Sequence, residues 1–452
     1  MHTLPSRLPG PDPVTADSDL VADSGLVADS DLVAEVSPRP RVIAGPDVWL
    51  ETEAVDQLGR IAALPGCVRA VGMPDLHPGP GVPIGAAFAF DAVIRPALVG
   101  SDAGCGARLW AVGRSKLGAD ALERRVRAAL AEPPLAGVDP VALFEAVWRR
   151  GAPGLADVAG VPANLAALAA AEPAAGSDLG AASDPGDDPG EPPTFLDRAA
   201  LGRALGTTGG GNHFAEITRV DRIVDRVAAA ELGLDARTTC VLVHSGSRGL
   251  GRALAGHWGE VALAEHDPAA GRYLSQLAGA LRFARANRLV IGWRLLSALG
   301  AASPGRVSAS IDLTHNTAVC EPIDDRGGRA WVYRKGCAPA HLGQLTLILG
   351  SRGTRTWIAR GAGRHDGLCS VAHGAGRRMT RAEAQAKVRH RYRRRDLTRT
   401  AAGGRVLCAR TDSLYEEHPD AYKDIESVMA SVEDAGLAAR VAALLPVLTI
   451  KQ

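Results

Sequence analysis

Two residues in the segment VGSDAGCGARL, residues 99–109, could hold a metal ion together. Asp102 and Cys105 lie three positions apart, and Gly104 and Gly106 on either side of the cysteine leave its thiol unshielded. An oxygen ligand and a thiolate in one tight loop suit a borderline divalent cation. The alternative is a free cysteine buried in a glycine-rich turn, because free cysteine is among the most buried residue types.

Three later histidines favour the metal site, because each lies beside a glycine-rich or polar turn. His213 lies in GTTGGGNHFAEI, His244 ends the apolar segment TCVLVH, and His315 follows VSASIDL. For any one of them alone, a histidine that forms hydrogen bonds within the core is the simpler interpretation. We expect strand ends to bring all three to the loop that contains Cys105.

His373 lies between Ala372 and Gly374 in LCSVAHGAGRRMT and could act as a nucleophile. Neutral imidazole attacks phosphorus when one ring nitrogen is free and an acceptor holds the other. Metal ligation and a structural hydrogen bond are the alternatives for this residue taken alone. Asp75 and His77, in PDLHPGPGVPIG, could orient a ligand or bind a phosphate, or His77 could satisfy the backbone of a turn.

Two arginine-containing stretches could contact phosphate groups. Arg248 lies in SGSRGLG after a predicted strand, where backbone N–H groups and a guanidinium could cradle a phosphate. A solvated arginine in a turn is the alternative. Between Lys387 and Arg399, seven lysines and arginines surround His390 and Tyr392. This basic run could follow an RNA backbone or form a solvated face.

The composition excludes two classes of protein. The 452 residues carry a net charge of +1, which excludes a histone-like binder with a basic field over its whole surface. The seven cysteines are odd in number and include no C-x-x-C motif, so they indicate a reducing compartment and not a secreted disulfide framework. Because no apolar stretch is long enough to span a bilayer, we expect a cytoplasmic protein without membrane contact.

Residues 1–38 and residues 39–452 differ in character. Three direct copies of a six-residue repeat, ADSDLV, ADSGLV and ADSDLV, predict a disordered extension over residues 1–38. Residues 39–452 form one predicted domain, with residues 133–194 as a variable insertion. Within that insertion, the Ala-, Pro- and Asp-rich residues 174–194 are expected to be flexible.

The apolar patterns predict an α+β fold in which a β-rich core with flanking helices surrounds a central metal cleft. Strands are expected over residues 92–99, 239–244 and 307–313, each leading into a candidate ligand segment. Residues 250–299 are expected to be mostly helical. The candidate ligands therefore lie at the ends of strands, where the sheet can bring them together.

Ten segments together resemble the RtcB family of RNA-splicing ligases, and they occur in that family's order. The resemblance runs from about residue 68 to the end and leaves out the repeat and residues 133–194. The segments are PDLHPGPGVPIG, VGSDAGCG, GGGNHFAEI, VHSGSRGLG, the His315–Asn316 pair, RKGCAPA, GSRGT, SVAHGAGRRMT, AYKDIESVM and TIK.

The resemblance implies a GTP- and Mn²⁺-dependent ligase that joins an RNA 3′-phosphate or 2′,3′-cyclic phosphate end to a 5′-hydroxyl end. His373 would accept GMP from GTP, and Glu216 and Lys451 would lie at the base. Two Mn²⁺ ions, bridged by the thiolate, would be held by Asp102, Cys105, His213, His244 and His315. The residues implied in cofactor binding are Asn212, His213, Glu216, His315, Asn316, Ser351, His373, Tyr422 and Lys451. Arg248 and Arg393 are the candidates for RNA phosphates.

The chain departs from the family pattern at the GSRGT turn. Arg352 stands where the family has methionine, and Leu349 stands where it has proline. These features resemble a bacterial branch linked to a release-factor-like partner and to ribosomal RNA repair. They leave the RNA open between tRNA splicing and RNA repair, with a release-factor-like or activating protein as a candidate partner. The alternative functions are a dinuclear metallo-phosphoesterase acting on RNA ends and a non-catalytic RNA-binding relative.

Overall fold

The computed structural model describes residues 39–173 and 189–451. The predicted disordered extension, residues 1–38, lies outside the described residues. So does most of the segment 174–194, for which flexibility is predicted. Everything stated below about the structure concerns the described ranges.

Twelve α-helices lie within the described ranges, and several begin where a side chain caps the first turn. Asp139, Asp267 and Asp424 each accept a hydrogen bond from a backbone N–H at the start of a helix, and Thr380 and Glu383 form a capping box. In chain order, the helices are α1 Thr52–Ala62, α2 Pro96–Val99, α3 Ala119–Ala131, α4 Pro140–Arg150, α5 Ala163–Ala170, α6 Arg198–Ala204, α7 Arg226–Glu231, α8 Gly249–Trp258, α9 Pro268–Leu299, α10 Arg381–Arg391, α11 Thr411–Glu416 and α12 Ile425–Asp434.

Seventeen β-strands lie within the same ranges, and the longer ones are rich in buried apolar side chains. In chain order, they are β1 Arg41–Val42, β2 Cys67–His77, β3 Ile84–Phe90, β4 Val93–Ile94, β5 Gly106–Ala111, β6 Phe214–Ile223, β7 Thr239–Ser245, β8 Leu263–Ala264, β9 Ala309–Thr314, β10 Asn316–Pro322, β11 Arg329–Lys335, β12 Cys337–Pro339, β13 Leu345–Ile348, β14 Thr356–Gly361, β15 Ser370–Ala372, β16 Arg405–Cys408 and β17 Ala438–Lys451.

The strands form two main sheets. The larger has eight strands in the order β13-β14-β17-β6-β7-β5-β9, with β16 paired in parallel to β17. The smaller has five strands in the order β1-β2-β3-β11-β10, and β12–β15 and β4–β8 form separate pairs. Most neighbouring strands are antiparallel, and the helices pack around the sheets. This architecture confirms the predicted α+β class.

The prediction of one strand over residues 92–99 is wrong. Only Val93–Ile94 forms a strand, and Pro96–Val99 forms the short helix α2. Pro96 occupies the start of that helix, where its fixed φ angle and missing N–H are tolerated. The loop that contains Cys105 therefore follows a helix, and the next strand, β5, begins directly after it.

The long helix α9 passes through the interior of the molecule. The prediction of mostly helical structure over residues 250–299 is confirmed, as α8 and α9 separated by the short strand β8. Residues 133–194 also contribute to this region, because Phe144 on α4 packs against Phe283 on α9 with a ring-centroid distance of 6.2 Å. No helix in the described part of the chain is both long enough and apolar enough to span a membrane.

Candidate metal centre and nucleotide pocket

The ends of four neighbouring strands bring the predicted metal ligands together. Strands β6, β7, β5 and β9 are consecutive in the larger sheet. Phe214 pairs with His244, and Gly106 pairs with Thr314, so the ends of these strands lie side by side. The residues brought together are Asp102, Cys105, His213, His244 and His315.

The five side chains form two groups that share one thiol. Cys105 Sγ lies 3.2 Å from His213 Nε2, 3.4 Å from His244 Nε2 and 3.3 Å from His315 Nε2. Asp102 Oδ2 lies 2.9 Å from His213 Nε2, and the Nε2 atoms of His244 and His315 are 3.1 Å apart. In each group, Cys105–His244–His315 and Asp102–Cys105–His213, the possible ligand atoms lie within 4.8 Å of one another.

Each of the two groups has donor atoms that could hold a divalent cation, and Cys105 belongs to both. Burial lowers the pKa of His244 and His315 well below the ordinary value, so both imidazoles are neutral and keep a lone pair for a metal. Burial, together with the Asp102 carboxylate, raises the pKa of Cys105 well above the ordinary value. A thiolate at this position therefore needs a neighbouring cation, as expected for a metal ligand.

An arginine on α9 supports the backbone at both sides of the cluster. Arg288 is fully buried, and its Nη1 donates to the carbonyls of Gly104, at 2.8 Å, and Ser245, at 3.1 Å. Its Nε donates to Asp312 Oδ1 at 2.8 Å, which balances the charge. The loop of Cys105 and the end of β7 are thus connected to the same side chain.

Asn316 and Lys335 connect the ligand loop to the smaller sheet. Asn316 Nδ2 donates to the carbonyl of Asp102 at 3.1 Å, and its Oδ1 accepts from the backbone N–H of Gly336 at 2.8 Å. Lys335 Nζ donates to the carbonyl of Val99 at 2.8 Å. Asn316, which the resemblance implies in cofactor binding, therefore contacts backbone groups behind the cluster.

A cavity of about 380 Å³ adjoins the cluster. Its size and mixed lining suit a small organic ligand. Among its lining residues are several that the resemblance implies in metal or guanylate binding: Asn212, Glu216, His244, Ser351, His373, Tyr422 and Lys451.

His373 follows β15 and is oriented by a buried carboxylate. Its Nδ1 lies 2.7 Å from Asp75 Oδ2, and its backbone N–H donates to the same oxygen at 3.2 Å. The His373 ring centroid is 4.8 Å from that of His315 and 6.4 Å from that of His244. A hydrogen bond donated from Nδ1 to Asp75 leaves Nε2 as the nitrogen that can carry a lone pair, as a nucleophile requires.

Glu216 and Lys451 lie on neighbouring strands, β6 and β17. Thr449 Oγ1 donates to Glu216 Oε1 at 2.6 Å, and burial raises the pKa of Glu216 to about 8. Burial also lowers the pKa of Lys451, while Glu417 favours its charged form. The cavity therefore contains a carboxyl group and an amine whose protonation a ligand can change.

Glu417 connects four side chains at the same cavity. Its carboxylate lies 3.2 Å from Arg377 Nη1, 3.3 Å from Arg381 Nε and 3.6 Å from Lys451 Nζ, and it accepts a hydrogen bond from the Tyr422 hydroxyl. Glu417 is only 2% exposed. A buried carboxylate with these partners fixes the positions of three cations and a phenol.

The two candidate arginines for RNA phosphates lie in different surroundings. Arg248 is the residue before α8, has a positive φ of 59°, and its Nε donates to Thr207 Oγ1 at 3.1 Å. Burial lowers the pKa of Arg248, and the residue lies two positions after Gly246, where a Cβ atom would be 2.3 Å from Asp102 Oδ1. Arg393 is exposed after α10 and does not belong to the cavity lining.

Comparison with known proteins assigns the chain to a family. The family model described as tRNA-splicing ligase RtcB matches residues 57–452. The chain belongs to the RtcB family. It is 38% identical over 413 residues to the RNA-splicing ligase RtcB2 of Escherichia coli, which covers 90% of this chain and 94% of that relative.

Two other RtcB relatives match over similar lengths. The RNA-splicing ligase RtcB of Mycobacterium tuberculosis is 33% identical over 442 residues, covering 87% of this chain and 100% of the relative. The tRNA-splicing ligase RtcB of Archaeoglobus fulgidus is 30% identical over 451 residues, covering 88% and 90%. The RtcB resemblance inferred from the ten segments is therefore confirmed, and the chain is a member of a family of RNA ligases.

Sequence reasoning missed Glu417 in this RtcB chain. The residue lies in EEHPDAYK, five positions before Tyr422, and nothing in its type or spacing distinguishes it from an exposed glutamate. The one feature of the sequence that points to this region is the AYKDIESVM segment, which begins four positions after Glu417. Arg377 and Arg381 also line the cavity, and both form ion pairs with Glu417. In the sequence they lie four and eight positions after His373.

Proposed function

We propose that this chain is a GTP- and Mn²⁺-dependent RNA ligase that acts through a histidine–GMP intermediate. It would join a 3′-phosphate or 2′,3′-cyclic phosphate end of RNA to a 5′-hydroxyl end. One observation carries the proposal: His373, with Nδ1 held by Asp75, lies beside a five-ligand cluster at the wall of a shared cavity.

The cluster would hold two Mn²⁺ ions, with Cys105 shared between them. Bound at this place, the ions would polarise phosphoryl oxygens and offset the charge that develops on them. Three imidazoles, a carboxylate and a thiolate are suitable ligands for a borderline cation. The neutral state of His244 and His315 supports this role, because a protonated imidazole cannot bind a metal.

In the first step, His373 Nε2 attacks the α-phosphorus of GTP. A P–N bond forms, the bond to the bridging oxygen breaks, and pyrophosphate leaves. The Nδ1 proton stays on the hydrogen bond to Asp75, so the attacking nitrogen needs no base. The covalent nucleotidyl intermediate divides the condensation into steps that are each easier than direct joining.

In the second step, an oxygen of the RNA 3′-phosphate attacks the guanylate phosphorus, and His373 is released. In the third step, the 5′-hydroxyl attacks the activated RNA phosphate and GMP leaves. A 2′,3′-cyclic end must first be opened by water, because it lacks the monoester oxygen that attacks. Arg248, near the cluster, and the exposed Arg393 would contact RNA phosphates.

The guanylate would lie in the cavity with its base between Glu216 and Lys451. Guanine presents N–H donors at positions 1 and 2 and an acceptor at O6, which match a carboxylate and an ammonium group. Asn212, Ser351 and Tyr422 would hold the rest of the nucleotide. The seven unpaired thiols support a reducing compartment such as the cytoplasm, and a release-factor-like or activating protein remains the proposed partner.

The test is adduct formation with GTP labelled at the α-phosphate. In the presence of Mn²⁺, the wild-type protein is expected to form a labelled adduct that is acid-labile and base-stable. His373→Ala should form none, whereas the exposed His266→Ala should match the wild type. A wild-type protein without an adduct would overturn the proposed function, and an adduct on His373→Ala would overturn the choice of nucleophile.

A metallo-phosphoesterase is the second candidate, because both ligand groups are complete without His373. Such an enzyme would release phosphate from RNA 3′ ends without GTP. This second candidate would be favoured if the His373→Ala variant released phosphate from RNA 3′ ends at the wild-type rate. A non-catalytic RNA-binding relative would give neither the adduct nor the phosphate release.

A further inference from the structure

Lys423 carries a buried ammonium group that the proposed steps do not use. The residue is 8% exposed and lies between Tyr422 and helix α12. Its Nζ donates to the carbonyl of Pro74 at 3.0 Å and to that of Leu76 at 2.7 Å. These two carbonyls lie directly before and after Asp75, the residue that holds the His373 ring.

Asp75 itself is enclosed on every side. It has no exposed surface, and its Oδ1 has no hydrogen-bond partner among the described residues. A Cβ atom at Gly85 would lie 2.7 Å from Asp75 Oδ1, and one at Gly376 would lie 2.3 Å from its carbonyl oxygen. The backbone of residues 74–76 therefore decides where the carboxylate points.

Lys423 also balances the buried charge at this point. Burial lowers the pKa of Lys423 to about 8, while the carboxylates of Asp75 and Glu51 favour the charged form. The ammonium group thus remains protonated in neutral solution. His77, whose Nδ1 lies 2.7 Å from the Asp75 carbonyl, adds a third contact to the same short segment.

We propose that Lys423 is a positioning residue for the guanylylation of His373. Its ammonium group clamps the carbonyls on either side of Asp75 and so fixes the carboxylate that orients the imidazole. This inference rests on the proposed function, because it concerns the step in which Nε2 attacks GTP. Attack on phosphorus needs the lone pair aligned with the breaking bond, and a ring that can rotate loses that alignment.

The first test compares adduct formation by the wild type, Lys423→Met and a matched control, Lys116→Met. Lys116 is exposed before α3 and lies outside the site. We expect Lys423→Met to lower the rate of adduct formation at saturating GTP by about tenfold, with KM for GTP within about twofold of the wild type. Its final amount of adduct per protein should equal that of the wild type.

The second test observes the His373 ring without GTP or metal. With ¹⁵N-labelled histidine, and with His373→Asn to assign the signal, the wild type should show one tautomer, protonated at Nδ1. Lys423→Met should show a mixture of tautomers, and Lys423→Arg, which keeps the charge and can donate to both carbonyls, should restore the single tautomer. The Arg variant should also recover the adduct rate to within about threefold.

The outcomes separate this inference from the proposed function. Equal adduct rates and equal His373 signals in the wild type and Lys423→Met would overturn the role of Lys423. An adduct missing from the wild type would overturn the proposed function, while the ring signals would still decide whether Lys423 orients His373. If thermal unfolding shows that Lys423→Met does not fold, the shorter, uncharged Lys423→Gln takes its place, and a wild-type adduct rate together with wild-type ring signals in that variant would overturn the role.

Discussion

The metal cluster and the end of the cavity around Glu417 are built in opposite ways. In the cluster, the ligand atoms mostly contact one another, and the Nδ1 atoms of His213 and His244 have no partner among the described residues. At the other end, Glu417 already has three cationic partners and the Tyr422 hydroxyl. The cluster presents donor atoms that could hold a cation, whereas the Glu417 carboxylate is already paired with three cations.

This difference predicts how the two ends of the cavity respond when a residue is removed. Removal of a cluster ligand takes away binding that no neighbour supplies. Removal of Glu417 leaves three cations unbalanced, although Arg377 keeps other contacts, such as that of its Nη2 to the Glu416 carbonyl at 2.9 Å. We therefore expect large, all-or-none effects at the cluster and graded effects at the Glu417 end.

The largest effect is expected for Cys105→Ala, because the thiol belongs to both ligand groups. Mn²⁺ affinity should fall by at least about 100-fold at both sites, as measured by calorimetric titration. Cys240→Ala, which removes a fully buried thiol near the start of β7, is the control and should keep wild-type Mn²⁺ binding. Two ions bound by Cys105→Ala with wild-type affinity would refute the shared thiolate.

His213→Ala should remove one ion and keep the other. The residue belongs only to the group with Asp102, whereas His244 and His315 form the other group with Cys105. The expected stoichiometry of Mn²⁺ falls from two to one per chain, as measured by electron paramagnetic resonance of the free ion. A loss of both ions would mean that the two groups form a single site.

An intermediate effect is expected for Glu417→Gln. The amide keeps the shape of the side chain but removes the charge that balances Arg377, Arg381 and Lys451, so these cations would no longer be held for the nucleotide. KM for GTP in adduct formation should rise by about tenfold, with little change in the rate at saturation. Glu416→Gln, one residue earlier, is the matched control, and equal KM values for the two variants would contradict the prediction.

The smallest effect is expected for Glu216→Gln, and it concerns stability. Burial keeps the proton on Glu216 up to about pH 8 in the folded protein, while the ordinary value of 4.5 applies to the unfolded chain. Between these values the folded state binds more protons, so its free energy of unfolding decreases as pH rises. The melting temperature should fall less between pH 6 and pH 8.5 in Glu216→Gln than in the wild type. An identical slope would show that Glu216 is not the group responsible.

The meeting of the five candidate metal ligands could be predicted from sequence because of the chemistry of their residue types. A cysteine between glycines and histidines at predicted strand ends are uncommon unless something binds there, and antiparallel pairing of β5, β7 and β9 aligned those ends. The α+β class followed from the alternation of apolar segments in the same way. Cys105 and His244 could therefore be selected as candidate ligands from the sequence alone.

Tertiary contacts decide the features that sequence could not predict. Glu417 acquires its role from Arg377, Arg381 and Lys451, which reach it from separate elements, so its local sequence holds no signal. Lys423 is similar, because its partners are backbone carbonyls far away in the chain. The prediction of a strand over residues 92–99 was wrong for a local reason. It relied on the apolar pattern, whereas in the structure Pro96 begins a short helix, a position that proline favours.

The double contact of Arg288 has a consequence for local motion. One guanidinium, on helix α9, holds carbonyls of both Gly104 and Ser245, next to ligands from two different segments. If either loop opened alone, it would leave a buried donor unpaired, at a cost of about 1–3 kcal/mol. Backbone amides at Cys105 and Gly246 should therefore exchange with deuterated solvent as slowly as those of α9. A bound cation would then be released at a rate set by local opening of helix α9 and not by opening of either loop.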